Sequence, residues 1–362
     1  MYSGYFAYTL LQATINNLYD SIEFKPAWFN NLFSPERALP IEYHALALFG
    51  PMKRLRSLSK RELIQRLYKY ECMEQETDNS DFNFEKYKTN HVALRIAYLG
   101  EDYHGFAFQP NACTVEGEIF KAMKRLRLIL DRESCDFTRC GRTDAGVSGM
   151  GQVISCRLRS NLLLDESEDR VEFNYPKMLN GKLPPDIRVT GHQFVSSSFN
   201  ARFDCTFRMY KYFFVHSDLD TNAMRQAALF FIGRHSFHNF CRLDKSNPPL
   251  HFEREILLTD IEKVSSDVSA FVVKGTAFLY NQVRCMMAVL FRVGKGESPT
   301  IVKEMLTETQ LPGYEIASEK NLLFFDCGFD GLEFIDSDFD SFEEIYREQT
   351  VRKSLVQQML HK

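Results

Sequence analysis

An α+β fold is predicted by the order of the hydrophobic patterns along this chain. Between residues 91 and 296, stretches that alternate apolar and polar side chains take turns with stretches that are apolar at helical spacing, and this succession runs through two rounds. With 362 residues, 44% of them hydrophobic and 25% charged, the chain can bury a substantial core in two domains or one two-lobed unit. Two similar α/β halves joined across a continuous sheet accommodate both rounds, although no literal repeat is present.

The elements follow in order. HVALRIAYLG, from residue 91, alternates like a strand. TVEGEIFKAMKRLRLIL, from Thr114, opens with a Thr cap and carries Glu118 in its first turn, so it predicts a helix running to near Asp131. QVISCRLRS, from Gln152, alternates again. The second round comprises RMYKYFFVHS as a strand, TNAMRQAALFFIGRHSF as a helix, DVSAFVVKGTAF as a strand and NQVRCMMAVLFRVGKG as a helix ended by glycine. The expected organisation is an N-terminal extension over 1–52, aromatic and without clear period, then a basic helix and acidic linker over 53–90. Two halves over 91–195 and 196–330 carry the chemistry. An acidic tail over 331–362 is expected on the surface or partly disordered.

Composition excludes several classes of function. No apolar run approaches the roughly 18 residues of a membrane span, so no membrane partner is expected. The first basic residue is Lys25, which does not predict a signal peptide or arginine-rich presequence. Nine singly scattered cysteines, the closest pair being Cys135 and Cys140, lack zinc-knuckle spacing. Reduced thiols, a cytoplasmic or nuclear residence and no metal site are the expectation. His235 and His238 have no accompanying carboxylate or cysteine cluster and are read as structural or RNA-facing residues.

The net charge of −4 conceals an uneven distribution. Eight acids and no Lys or Arg lie between Asp326 and Tyr346, which leaves +4 on the remainder. Residues 121 to 142 hold seven basic residues against three acids, and they lead directly into TRCGRTDAGVSGMGQV, residues 138 to 153. Solvated helix faces would account for such a run, and so would contacts to a phosphate backbone. In the glycine-studded stretch, Asp144 must occupy a turn between a helix and a strand, where functional side chains concentrate. It could equally close its own turn. The glycine pattern precedes a strand and so does not match a dinucleotide-binding loop.

These residues resemble the tRNA pseudouridine synthase A family, whose signature is carried here by Gly141 to Ser148. TVEGE at 114–118, SFNARFDCTFRMYKYFF at 198–214 and AFLYNQVRCMMAVLFRVGKG at 277–296 match in the same order. GRHSFHNFCRLDKSN and NLLFFDCGF are more similar to the eukaryotic branch acting at tRNA positions 38 and 39. Ser236, Gly149 and the pair Tyr280 and Asn281 depart from the family pattern. The resemblance implies a mostly antiparallel sheet with helices packed outside and a central RNA-binding cleft. It implies tRNA as partner, a homodimer in some members, and no cofactor, because isomerising uridine to pseudouridine changes no oxidation state.

The resemblance also assigns roles. Asp144 would be the catalytic carboxylate, acting as nucleophile or base. Arg284 would keep it ionised in a dry pocket, since an arginine inside an apolar helix needs an anionic partner. Tyr210 would stack on the uracil and relay a proton, and Leu279 would line the pocket. Arg142 would occupy the space left by the flipped base. Lys121, Lys124, Arg125, Arg127, Arg202 and Arg208 would contact the RNA backbone. A catalytically silent tRNA-binding or chaperone protein on the same scaffold is the alternative. An unrelated nucleotide-dependent enzyme is disfavoured by the missing Walker and Rossmann patterns.

Overall fold

The computed structural model describes residues 82–165, 171–243, 251–308 and 313–336. The expected N-terminal extension, the basic helix of 53–73 and most of the acidic tail fall outside the described residues. Within them the chain is α+β, with a ten-stranded sheet and five α-helices. The strands are β1 (Tyr87–Tyr98), β2 (Thr138–Arg139), β3 (Ser148–Leu163), β4 (Ile187–Phe194), β5 (Cys205–Val215), β6 (Gly233–Ser236), β7 (Glu253–Lys263), β8 (Val268–Gly275), β9 (Leu322–Phe329) and β10 (Ile335–Asp336). The helices are α1 (Val115–Arg125), α2 (Tyr175–Asn180), α3 (Thr221–Leu229), α4 (Gln282–Gly294) and α5 (Ile301–Thr307).

The sheet runs in the order β10, β4, β1, β3, β9, β5, β8, β7, β6, with β2 pairing to β3 off this path. Every pairing is antiparallel except β3 with β9, which run parallel through Ser148 opposite Leu323 and Gly149 opposite Phe324. Two apolar clusters form on this frame. One gathers Ile119 and Met123 of α1 with Leu94 of β1, Ile154 of β3 and Val189 of β4. The other gathers Met224 of α3, Met286 and Val289 of α4 and Met305 of α5 with Tyr212, Phe271 and Phe324 of the strands.

Local chemistry explains the boundaries. Thr114 Oγ1 accepts a hydrogen bond from the Gly117 N–H at 3.2 Å, as an N-cap should. Helix α1 stops at Arg125 and does not continue to Asp131 as its periodicity predicts. Arg127 adopts a left-handed φ of 53°, and the Leu128 N–H turns back to the Met123 carbonyl at 2.9 Å. Leu128 and Ile129 remain buried in the same cluster after the helix has ended, so hydrophobic spacing does not reveal the stop. Helix α3 likewise ends at Leu229, short of the predicted Phe237. Gly233 has a φ of +106°, and the segment beyond it pairs as β6 with β7. Helix α4 matches its expectation, and the chain leaves it through Gly296 at φ +107°. Among the described residues no helix is long and apolar enough to cross a membrane.

Candidate active site

Asp144 lies in the loop between β2 and β3, and its surroundings hold that loop on both sides. The Thr143 hydroxyl shares a 2.8 Å hydrogen bond with the buried Tyr98 phenol, and the Thr143 carbonyl accepts from the Phe106 N–H at 3.2 Å. Beyond Asp144, the Val147 N–H returns to its carbonyl at 3.2 Å, and Gly146 takes a φ of +83° that other residues rarely adopt. The turn is therefore closed by main-chain atoms, and the Asp144 carboxylate is left for other work. Gly149, where the sequence departs from the family pattern, sits against the Tyr98 ring. A Cβ there would come within 2.6 Å of a ring carbon, so glycine suits the close approach.

Arg284 reaches Asp144 from the first turn of α4. Its Nη1 stands 3.7 Å from Asp144 Oδ2, with the arginine side chain 13% and the aspartate 32% exposed. The guanidinium is fixed from three other directions. Nε donates to the Ala317 carbonyl at 2.7 Å, Nη1 to Asn281 Oδ1 at 3.0 Å and Nη2 to Glu319 Oε2 at 3.0 Å. Asn281 holds the N-terminal position of α4 in a left-handed conformation with φ 61°, which asparagine tolerates better than most residues. The side chain of Gln282 accepts from the Leu279 N–H at 2.8 Å and fixes the entry to the helix.

This geometry decides the electrostatics of the carboxylate. Burial raises the Asp144 pKa above the ordinary aspartate value, Arg284 opposes that rise, and the neighbouring Glu319 adds to it. Tyr210, on β5, is buried between the edges of Phe278 and Phe324, each with its ring centre 5.1 Å away. Burial pushes its phenol well above the usual range, with the charge of Asp144 contributing, so the group stays protonated at neutral pH. Leu279 is buried next to the same apolar cluster.

The other expected contacts divide by accessibility. Arg142, Arg125, Arg127 and Arg202 are exposed, and Arg142 is two residues from Asp144. Lys121 is ion-paired to Glu118 at 2.9 Å, and Lys124 is half-buried. Arg208 differs from all of these. Its guanidinium donates to the main-chain carbonyls of Cys140, Arg202, Cys205 and Thr276, so a phosphate would have to displace bonds already made. His235 bonds the Ile232 carbonyl and His238 the Glu308 carbonyl, which are structural roles. Glu319 and Asn281, both bonded to Arg284, were not singled out from sequence as site residues. Asn281 was marked by its place at a predicted helix start and by its departure from the family pattern, while Glu319 carried no signal.

Comparisons with known proteins identify the family. The family model described as tRNA pseudouridine synthase matches residues 227–330. The chain is 37% identical over 354 residues to the tRNA pseudouridine(38/39) synthase of Homo sapiens, covering 85% of this chain and 73% of the relative. It is 39% identical to the protein of the same name from Bos taurus, covering 77% of this chain and 65% of the relative. Against that from Saccharomyces cerevisiae it is 41% identical, covering 73% and 63%. The chain thus spans about two thirds of the length of these curated relatives. With 37% identity over 73% of the human relative's length, the chain belongs to the tRNA pseudouridine synthase family.

Proposed function

We propose that the chain isomerises uridine to pseudouridine in the tRNA anticodon stem-loop, at positions 38 and/or 39, as the names of its relatives state for them. The observation that carries this reading is the half-exposed Asp144 carboxylate facing a fully engaged Arg284. Because the guanidinium is already held by Ala317, Asn281 and Glu319, it supplies positive charge without moving to meet the substrate. Such a charge counters the desolvation that an incoming base would impose on the acid.

The reaction breaks the bond from ribose C1′ to uracil N1 and forms one from C1′ to C5. One proton leaves C5 and one arrives at N1 or its equivalent after the ring has turned, so electrons balance without a redox partner. Asp144 acts as nucleophile at C1′ or at the ring, or as base on the ribose. Tyr210 offers a protonated phenol beside the base and a flat face for it. The base is flipped out of its stack at a cost of a few kcal/mol, and the exposed Arg142 fills the space it leaves. In this reading the tRNA lies in a central cleft between two similar halves of the sheet. Lys124, Arg125, Arg127 and Arg202 would meet its phosphates. A homodimer and a cytoplasmic or nuclear residence complete the proposal; the described cysteines are all free.

Incubating the full chain with unmodified tRNA and no added cofactor, then mapping pseudouridine by carbodiimide labelling and primer extension, tests it. Stops at position 38 or 39 are the expected result. Binding without product would favour the catalytically silent alternative, and product elsewhere in the tRNA would overturn the site assignment.

A further inference from the structure

The fold brings together three cysteines that are far apart in sequence. Cys140 follows β2, Cys205 opens β5 and Cys327 lies in β9, and their sulfurs all lie within 4.8 Å of one another. Cys140 Sγ and Cys205 Sγ are 3.3 Å apart. The three side chains are 3%, 8% and 9% exposed, so the cluster is closed to bulk solvent. With metal–sulfur bonds of about 2.3 Å, the sulfurs of a trigonal or tetrahedral site stand roughly 4 Å apart. The observed set needs only small side-chain adjustments to reach that spacing.

A packed trio of thiols could serve merely as small apolar filling. The second observation argues against so plain a role. Arg208 donates to the main-chain carbonyls of Cys140 and Cys205, and its backbone pairs with Cys327 in the β5–β9 ladder, so one cation is anchored beside the cluster. Among the described residues Arg208 forms no ion pair with a carboxylate, and a half-buried cation calls for compensating negative charge.

We propose that Cys140, Cys205 and Cys327 bind one thiophilic divalent cation of the zinc class through three thiolates, tying the end of β2 to β5 and β9 at the foot of the catalytic loop. On binding, each thiol gives its proton to solvent, three sulfur–metal bonds form and no electron is transferred. Three thiolates with a divalent ion carry a net charge of −1, which the adjacent Arg208 offsets. Soft sulfur donors select such ions over magnesium or calcium. Three protein ligands leave one coordination position open, a number zinc accepts. The sequence gives no hint of this site, because ligand spacing along the chain is irrelevant when a sheet does the gathering. The proposal is structural and does not rest on the isomerase reading.

The test uses the full chain, reduced and stripped of metal, titrated with Zn(II) against a chromophoric chelator and separately with Cd(II). Cd(II) reports sulfur ligation through thiolate charge-transfer absorbance. One equivalent bound, a raised thermal midpoint and at least a 100-fold loss of affinity in Cys205→Ser and Cys327→Ser are expected. Cys156→Ser, at a buried cysteine outside the trio, should bind as the parent does. Should the cluster variants fail to fold, X-ray absorption of the Zn(II)-loaded parent counts the sulfurs directly. Fewer than three sulfur neighbours, no stoichiometric binding, or affinity unchanged in Cys205→Ser would overturn the proposal.

Discussion

Arg284 and Arg208 are both half-buried arginines, on α4 and β5, yet they do opposite things with the same group. Arg284 spends its bonds on one main-chain carbonyl, one amide side chain and a carboxylate, and still leaves an edge 3.7 Å from a second carboxylate that solvent can reach. Arg208 spends its bonds on four main-chain carbonyls. One arginine keeps an electrostatic field available to a ligand. The other satisfies backbone acceptors and holds strands in place. Residue type and half-burial alone do not tell an arginine that faces an exposed carboxylate from one that is spent on the backbone; the partners do.

The largest expected effect lies on the Arg284 side. Asp144→Asn preserves shape and removes the charge, and turnover should fall by roughly 10⁴-fold or more with tRNA affinity nearly unchanged. Equal loss of binding and turnover, measured by filter binding and tritium release, would show that Asp144 serves the fold. On the Arg208 side, Arg208→Leu leaves three partly buried carbonyls without their donor, each worth up to about 1–3 kcal/mol. Chemical denaturation should report a loss of roughly 3 kcal/mol or more, whereas a stability within error of the parent would remove the distinction between the two arginines.

Tyr210→Phe keeps the ring between Phe278 and Phe324 and deletes only the hydroxyl. A fall in kcat of roughly 10²-fold with KM unchanged is expected if the phenol moves a proton. An unaltered kcat would leave Tyr210 a stacking surface alone. The smallest effect concerns Glu319. Asp144 must be ionised to act, so activity should fall as pH drops through its raised pKa, at a pH above the roughly 3.9 of an ordinary aspartate. Glu319→Gln removes a negative charge that raises that pKa, and the acidic limb of the rate profile should move to lower pH. A limb that stays put or moves upward would sever Glu319 from the Asp144 charge.

The sequence placed Asp144 on a turn before a strand and Arg284 inside an apolar helix, but spacing left each open to a plainer role. It was the family resemblance that paired them, and the fold sets them 3.7 Å apart. The Thr114 cap and the terminal glycine of α4 announced their helix ends. The stop of α1 did not, since Leu128 and Ile129 continue the hydrophobic rhythm after the backbone has turned at Arg127. Strand β6 was hidden because the segment after Leu229 reads as more helix until Gly233 reverses the chain. Strand β7 begins in the charged run Glu253 to Glu255, a pattern that does not announce a strand. Glu319 was beyond reach for a different reason. Its importance arises only when the segment before β9 folds back onto α4, and no local rule connects the two.

The parallel contact between β3 and β9 involves only Ser148 with Leu323 and Gly149 with Phe324, immediately beyond the loop that carries Asp144. That makes the site a late event in the chain's own synthesis. The aspartate emerges from the ribosome long before the strand that docks beside it and before the glutamate that braces its arginine. A chain cut short ahead of Glu319 would therefore hold Arg284 by two of its three bonds and lack the strand that pairs beside the loop.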